Sequence, residues 1–134
     1  MLIETPIQIR FADVDALRHV NNICLQHYYD LGKSIYMREV LNMHHIWDGL
    51  GFIQANTNTN YLVPVYLEDE IVVTTCIKKI GTKSVTMYQE ILDRNNREAK
   101  SNSTSIMVGF DVDDKLSIEL LPEWVEAIRR HESF

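Results

Sequence analysis

The chain has 134 residues, of which 46% are hydrophobic, and a formal net charge of −6. That length fits a single domain, residues 1–134, with enough apolar residues for a core of ordinary size. Its Lys and Arg residues are scattered, which excludes a basic stripe for a nucleic-acid backbone and leaves only local cations to hold a small anionic ligand.

No run approaches about 18 apolar residues, so no membrane-spanning helix is expected. The start, MLIETPIQIR, lacks the basic and apolar regions of a secretion signal. Cys24 and Cys76 make no disulfide framework, and a reduced, cytoplasmic setting is the simplest expectation. No internal repeat, low-complexity tract or linker interrupts the chain. Residues 3–12 alternate, with Ile7, Ile9 and Phe11 on one face and Gln8 and Arg10 on the other. This is a half-buried strand, and Pro6 near its start points to a sheet edge.

Residues 22–42 change to a helical period. Leu25, Tyr28, Tyr29, Gly32, Tyr36 and Val40 form one stripe, with Gln26, Asp30, Lys33 and Arg38 largely elsewhere. Gly32 costs a helix interior about 1 kcal/mol relative to Ala, so close backbone approach to a neighbour is its expected compensation. After residue 50 the period returns to two. Ile53, Ala55, Thr57, Thr59, Tyr61 and Val63 alternate with Gln54, Asn56, Asn58 and Asn60, until Pro64 and a turn at LEDE. Residues 70–80 are rich in β-branched residues and form a third strand. GTK is a turn, residues 84–93 a fourth strand, and DRNNRE a hairpin loop. Residues 99–112 are a long fifth strand, with Thr104, Ile106, Val108, Phe110 and Val112 on one face. LLPEWVEAIRRHE reads as a closing helix with Pro122 in its first turn.

Long strands joined by short turns pair antiparallel, and the one long helix supplies cover for a face of the sheet. The predicted class is α+β: a five-stranded antiparallel sheet wrapped around one long helix, with a short C-terminal helix.

The stretch RFADVDALRHVNN, residues 10–22, concentrates two carboxylates, a histidine and two asparagines where the first strand meets the long helix. The first N–H groups of a helix lack intrahelical partners and sit at the positive end of its dipole. Such an end polarises a carbonyl or stabilises an oxyanion. Asp15, seven residues before Asn22, is within reach of the same space, as a base on water or as a nucleophile. On spacing alone the simpler reading has the advantage: Asp13 or Asp15 caps a turn and Asn21 caps the helix.

FADVDALRHVNN followed by YYDLGK resembles the signature of the hotdog-fold acyl-CoA thioesterases of the 4-hydroxybenzoyl-CoA thioesterase family. YLVPVYLEDEIVV and IGTKSVTMYQEILD resemble that family's next segments, and the likeness covers about residues 5–122. It implies hydrolysis of an acyl-CoA with Asp15 as the catalytic carboxylate and the helix-start amide near Asn22 polarising the carbonyl. Asp13, His19 and Asn21 fall on motif positions whose roles vary or are structural. Arg18 stands where glycine is common, placed to close part of an acyl tunnel or to reach a phosphate or carboxylate. Plant-type acyl-ACP thioesterases are also similar here. Their catalytic histidine matches His19, which joins the catalytic candidates, but their asparagine position holds Leu17.

The implied substrate contacts are Arg18, Asn21, Tyr61, Lys83 and Ser84. The resemblance implies no metal and no cofactor. Its partners are an acyl-CoA substrate and further copies of the chain, as a homodimer or homotetramer with active sites at the interface. A single sheet of this size leaves edges and apolar surface to cover, which points the same way. The rival readings are an acyl-ACP thioesterase and a non-catalytic acyl-CoA-binding protein. The His with Pro-Gly of the hotdog dehydratases is missing.

Four further features have structural readings that outweigh functional ones. Cys24 lies in the first helical turn, where a dipole lowers a thiol pKa, but a buried small-residue role is favoured. His44 and His45, near Met43 and Trp47, read as the helix end and loop rather than a metal site. DVDD at 111–114 lacks the glycine and distal glutamate of a calcium loop and reads as a hairpin turn. Lys78, Lys79 and Lys83 read as solvated strand ends before they read as a phosphate site.

Overall fold

A computed structural model describes residues 2–44 and 49–134; His45 and Trp47 lie outside the described residues. The elements in chain order are β1 (Ile3–Ile7), α1 (Asn22–Leu41), β2 (Leu50–Tyr61), β3 (Ile71–Ile80), β4 (Ser84–Asp93), β5 (Ala99–Asp111), β6 (Leu116–Ser117) and α2 (Pro122–Glu132). The sheet is antiparallel in the order β1-β3-β4-β5-β2, with β6 added beside the end of β5. The α+β class and the antiparallel sheet against one long helix are as the sequence predicts, with β6 as an unanticipated addition. DVDD turns the chain from β5 into β6, and Asp111 accepts from the Asp113 and Asp114 N–H groups.

β1 is an edge strand, as Pro6 indicated, but it stops at Ile7. Phe11, expected on the apolar face, is 84% exposed in a 3-10 turn over Phe11–Asp13. The turn peels the chain off the sheet and aims it at the start of α1.

α1 rests chiefly on β1 and β3. Leu25, Tyr28, Tyr29, Gly32 and Tyr36 are buried, as their spacing predicts. Gly32 allows the close approach: a Cβ there would stand 2.8 Å from both Gln89 Nε2 and Val73 Cγ1. Gln89, buried under it, donates to the Tyr29 carbonyl and to Thr75 Oγ1. Lys33 departs from expectation. It is only 6% exposed, because its side chain crosses to Gln54 on β2 instead of reaching solvent.

β2 also departs from continuous alternation. A bulge between Gln54 and Asn56 changes which face each residue takes. Gln54 pairs Met107, Thr57 pairs Ser105 and Thr59 pairs Ser103, all on the helix side. Ile53, expected on the face of Thr57, pairs Val108 on the opposite side. An extra residue in one strand reverses the parity beyond it.

The core has two parts. Val20, Leu25, Tyr28, Val65, Ile71 and Ile91 pack near the start of α1. Tyr36, Ile77, Met87, Met107, Trp124 and Ile128 pack under α2. Glu132 fastens α2 by accepting from the Tyr36 hydroxyl at 2.6 Å and the Ile77 N–H at 2.7 Å.

Candidate active site

Between Asp13 and Asn22 the chain makes a small closed loop. Val14 and Val20 form an antiparallel bridge, and the Asp15 N–H donates to the His19 carbonyl at 3.1 Å. The Arg18 N–H donates back to the Asp15 carbonyl at 3.0 Å, and Arg18 itself lies in the left-handed region at φ 68°, which turns the following chain so that the His19 carbonyl faces Asp15. Glycine enters that region at no steric cost, which gives a backbone reason for glycine at this position. Two further bonds hold the loop: Val20 N–H to the Val65 carbonyl at 2.7 Å and Asn21 N–H to the Asp13 carbonyl at 2.9 Å.

The two carboxylates have different surroundings. Asp13 is 4% exposed and accepts from the Tyr28 hydroxyl at 2.6 Å and the Arg10 N–H at 3.1 Å. Burial alone would raise its pKa, but the bonds from Tyr28 and Arg10 outweigh it and hold the carboxyl below its ordinary value. Asp15 is half-buried. Its Oδ1 accepts from the Leu17 N–H at 2.9 Å, a two-residue turn that fixes the side chain and leaves Oδ2 without a donor among the described residues. An anchored carboxylate with one free oxygen has the geometry of a base or nucleophile.

At the helix start Asn21 is the N-cap, its Oδ1 accepting from the Ile23 N–H at 2.8 Å. Leu25 makes the first helical bond, to the Asn21 carbonyl. The Asn22 N–H precedes it, with no intrahelical acceptor. The His19 ring reaches the Val20 carbonyl at 3.4 Å and makes no bond to Asp15. Burial first, and then the Asp13 carboxylate, push the Cys24 thiol pKa up, the reverse of what a nucleophilic thiolate needs.

The loop thus gathers Asp15, Arg18, His19, Asn21 and Asn22. Tyr61 on β2 stands beside the first turns of α1, its hydroxyl accepting from Gln26 at 3.1 Å, with no bond to the loop residues themselves. Lys83 and Ser84 are not gathered within one chain. They begin β4, whose other end at Asp93 pairs Ile71, itself paired to Ile7; the strand separates them from the loop by roughly 30 Å. Sequence reasoning passed over Gln26, Lys33 and Gln54, whose pairings span 21 to 35 residues and leave no local signal. Among the described residues no group of three His, Cys, Asp or Glu side chains is placed to hold a metal ion. No described helix is long and apolar enough to cross a membrane.

An antiparallel sheet packed on one long helix, with a short C-terminal helix, is the hotdog arrangement of thioesterases. The chain belongs to the thioesterase-like superfamily, which it matches over residues 9–128. No curated protein sequence matches it. Among solved structures it resembles a thioesterase of Thermus thermophilus complexed with coenzyme A and zinc, at 26% identity and TM-score 0.83, covering 98% of this chain and 95% of that one. A protein described as a predicted thioesterase of Bacillus stearothermophilus aligns at 21% identity and TM-score 0.87 over 98% and 96% of the two chains. The DHNA-CoA thioesterase of Staphylococcus aureus aligns at 17% identity and TM-score 0.85 over 98% and 91%. The last two likenesses speak to the fold alone.

Proposed function

We propose that the protein hydrolyses an acyl-CoA thioester to the free acid and CoA. The observation that carries this is the Asp15 loop: a half-buried carboxylate, held by Leu17 N–H at one oxygen and free at the other, bonded through Asp13 and Asn21 to the start of α1. The thioester carbonyl would sit at the Asn22 N–H, where the helix dipole and an unpaired donor stabilise the developing oxyanion. Asp15 would activate water or attack the carbonyl carbon. Superfamily membership supports the reaction, and the coenzyme A bound by the Thermus thermophilus relative supports the carrier. Within the superfamily the D-x-D and H-V-N-N pattern supports the finer reading of a relative of the 4-hydroxybenzoyl-CoA thioesterases.

The active form in this reading is a homodimer or a homotetramer. β2 is a 12-residue edge strand with unpaired backbone along one side, and Phe11, Leu17, Ile23 and Leu62 expose apolar side chains. Pairing β2 edges would satisfy the backbone and bring a second copy to these side chains. Lys83 and Ser84, remote from Asp15 in their own chain, would then reach substrate only across subunits.

A hydrolysis screen over acyl-CoA and acyl-ACP panels, monitored by release of free thiol, tests this reading. Turnover of acyl-CoAs that is lost with Asp15 supports it. Binding without turnover, or turnover confined to acyl-ACP, overturns it.

A further inference from the structure

α1 runs antiparallel to β2, and two long side chains bridge the gap between them. Gln26 donates to Thr59 Oγ1 and to the Tyr61 hydroxyl near the helix start. Lys33 donates to Gln54 two turns further on. Past Lys33 the gap widens into a cavity of about 530 Å³. Its described lining is largely apolar, with Met37, Phe52, Met107 and Phe110, and includes no residue of the Asp15 loop. Lys33 stands in its wall and is buried.

A buried ammonium is costly unless its donors are used. It has three. The described residues offer two acceptors: Gln54 Oε1, and Asp30 Oδ1 at the long distance of 3.5 Å. Burial lowers the Lys33 pKa, and the Asp30 carboxylate opposes that shift. Among the described residues the third N–H has no acceptor, and Lys33 lines the cavity. Asp30 already supplies the counter-charge, so the acceptor that fits best is a neutral oxygen, a hydroxyl or ketone, rather than a second carboxylate.

Resting on the proposed hydrolysis at Asp15, we infer that this cavity receives the distal part of the acyl group and that Lys33 is a specificity-determining residue, selecting acyl chains with a hydroxyl or keto oxygen well beyond the thioester. Lys33 lies 11 residues past Asn22, about 16 Å along the helix axis. A long acyl chain, held at the Asn22 N–H and laid along α1 past Gln26, is needed to bring its distal carbons to Lys33. Its hydrocarbon end then enters the apolar cavity.

The test compares matched long-chain acyl-CoAs, unsubstituted, with a distal hydroxyl or ketone, and with a terminal carboxylate, on wild type and Lys33→Met. Wild type should favour the hydroxy or keto substrates, and the kcat/KM ratio over the unsubstituted chain should fall about 10-fold or more in Lys33→Met, as expected for losing a hydrogen bond to a charged donor. Lys33→Gln keeps a donor without the charge and should lose part of the ratio; it also serves if Met disturbs folding. Acetyl-CoA, too short to reach Lys33, reports any general loss of activity in the variants, against which the ratios are read. Calorimetric binding of the corresponding free acids gives a second readout independent of hydrolysis. If acyl-CoAs are turned over but neither ratio responds to Lys33, or the terminal carboxylate is preferred, the inference fails and the hydrolase reading stands. If the acids bind with a Lys33-dependent preference and no thioester is cleaved, the cavity assignment stands and the hydrolase reading fails. If no acid binds and no thioester is cleaved, both fail.

Discussion

The Tyr28 hydroxyl on α1 donates at 2.6 Å to the buried Asp13 carboxylate, fifteen residues away in the chain. That bond joins the loop of the candidate site to the side of the helix whose start the site uses. It also separates the roles of the two aspartates: Asp13 is committed to protein donors, while Asp15 keeps a free oxygen.

Asp13→Asn should therefore destabilise the fold by about 1–3 kcal/mol, the cost of weakening a buried charged hydrogen-bond cluster. Tyr28→Phe should cost a similar amount, and the double variant less than the sum, because both remove one interaction. The folded-state pKa of Asp13 is depressed, so its contribution is present above the unfolded carboxyl value and is lost as pH falls through the folded one. Urea unfolding of wild type and Asp13→Asn should thus keep their full difference from neutral pH down to about pH 4 and converge only on further acidification. A gap that widens on acidification would contradict this.

Arg18 tests backbone against side chain. At φ 68° a non-glycine residue carries about 1 kcal/mol of strain, offset in part by the extra freedom glycine has when unfolded. Arg18→Gly should leave stability equal or raise it by up to about 1 kcal/mol. Arg18→Ala, with the same strain, should bring no gain. If Arg18 also reaches substrate, Arg18→Gly should reorder the acyl-CoA preferences; unchanged preferences with the fold intact would make it a surface residue.

Gly32→Ala sets helix propensity against packing. Ala should gain about 1 kcal/mol in the helix. Its Cβ would meet Val73 Cγ1 and Gln89 Nε2 at 2.8 Å, and Gln89 is buried and fixed by two bonds of its own. Packing should win, with a net loss of about 1–3 kcal/mol in thermal or chemical unfolding. A stabilised variant would show that the helix shifts freely on the sheet.

Assembly is tested by sedimentation at micromolar concentration. A dimer or tetramer is expected, and a charged substitution on the β2 edge, such as Asn58→Lys, should weaken it and lower activity together. A stable, active monomer would contradict the interface reading.

The sequence revealed the elements whose period matches their burial. α1 and β4 were legible nearly to the residue, because Leu25 through Tyr36 keep a helical stripe and Ser84–Asp93 is bounded by clear turns and alternates in burial as far as Ile91. Three things were not. The β2 bulge hides in an unbroken Asn/Thr alternation, so Ile53 was placed on the wrong face. On β5 the apolar residues Ile106 and Val108 share a face, but the helix side carries Ser101, Ser103 and Ser105, buried because the Tyr29 and β2 hydroxyls cover them. Lys33 falls off the apolar stripe of α1, and nothing local shows a long side chain crossing to Gln54. In the site, DVDALRHVNN located the loop, while the division of labour between Asp13 and Asp15 depended on Tyr28, which only the folded chain brings near.

The central claim is that Asp15 drives thioester hydrolysis, and the turnover of Asp15→Asn on the best acyl-CoA tests it most directly. The substitution keeps an acceptor for the Leu17 N–H, so the loop and the unfolding midpoint should be preserved. It removes the basic oxygen, and kcat should fall roughly 10²–10⁴-fold if Asp15 is a general base, with substrate binding retained. His19→Ala should cost far less, because the His19 ring makes no bond to Asp15. Near wild-type turnover in Asp15→Asn, together with its loss in His19→Ala or Cys24→Ala, would contradict the account.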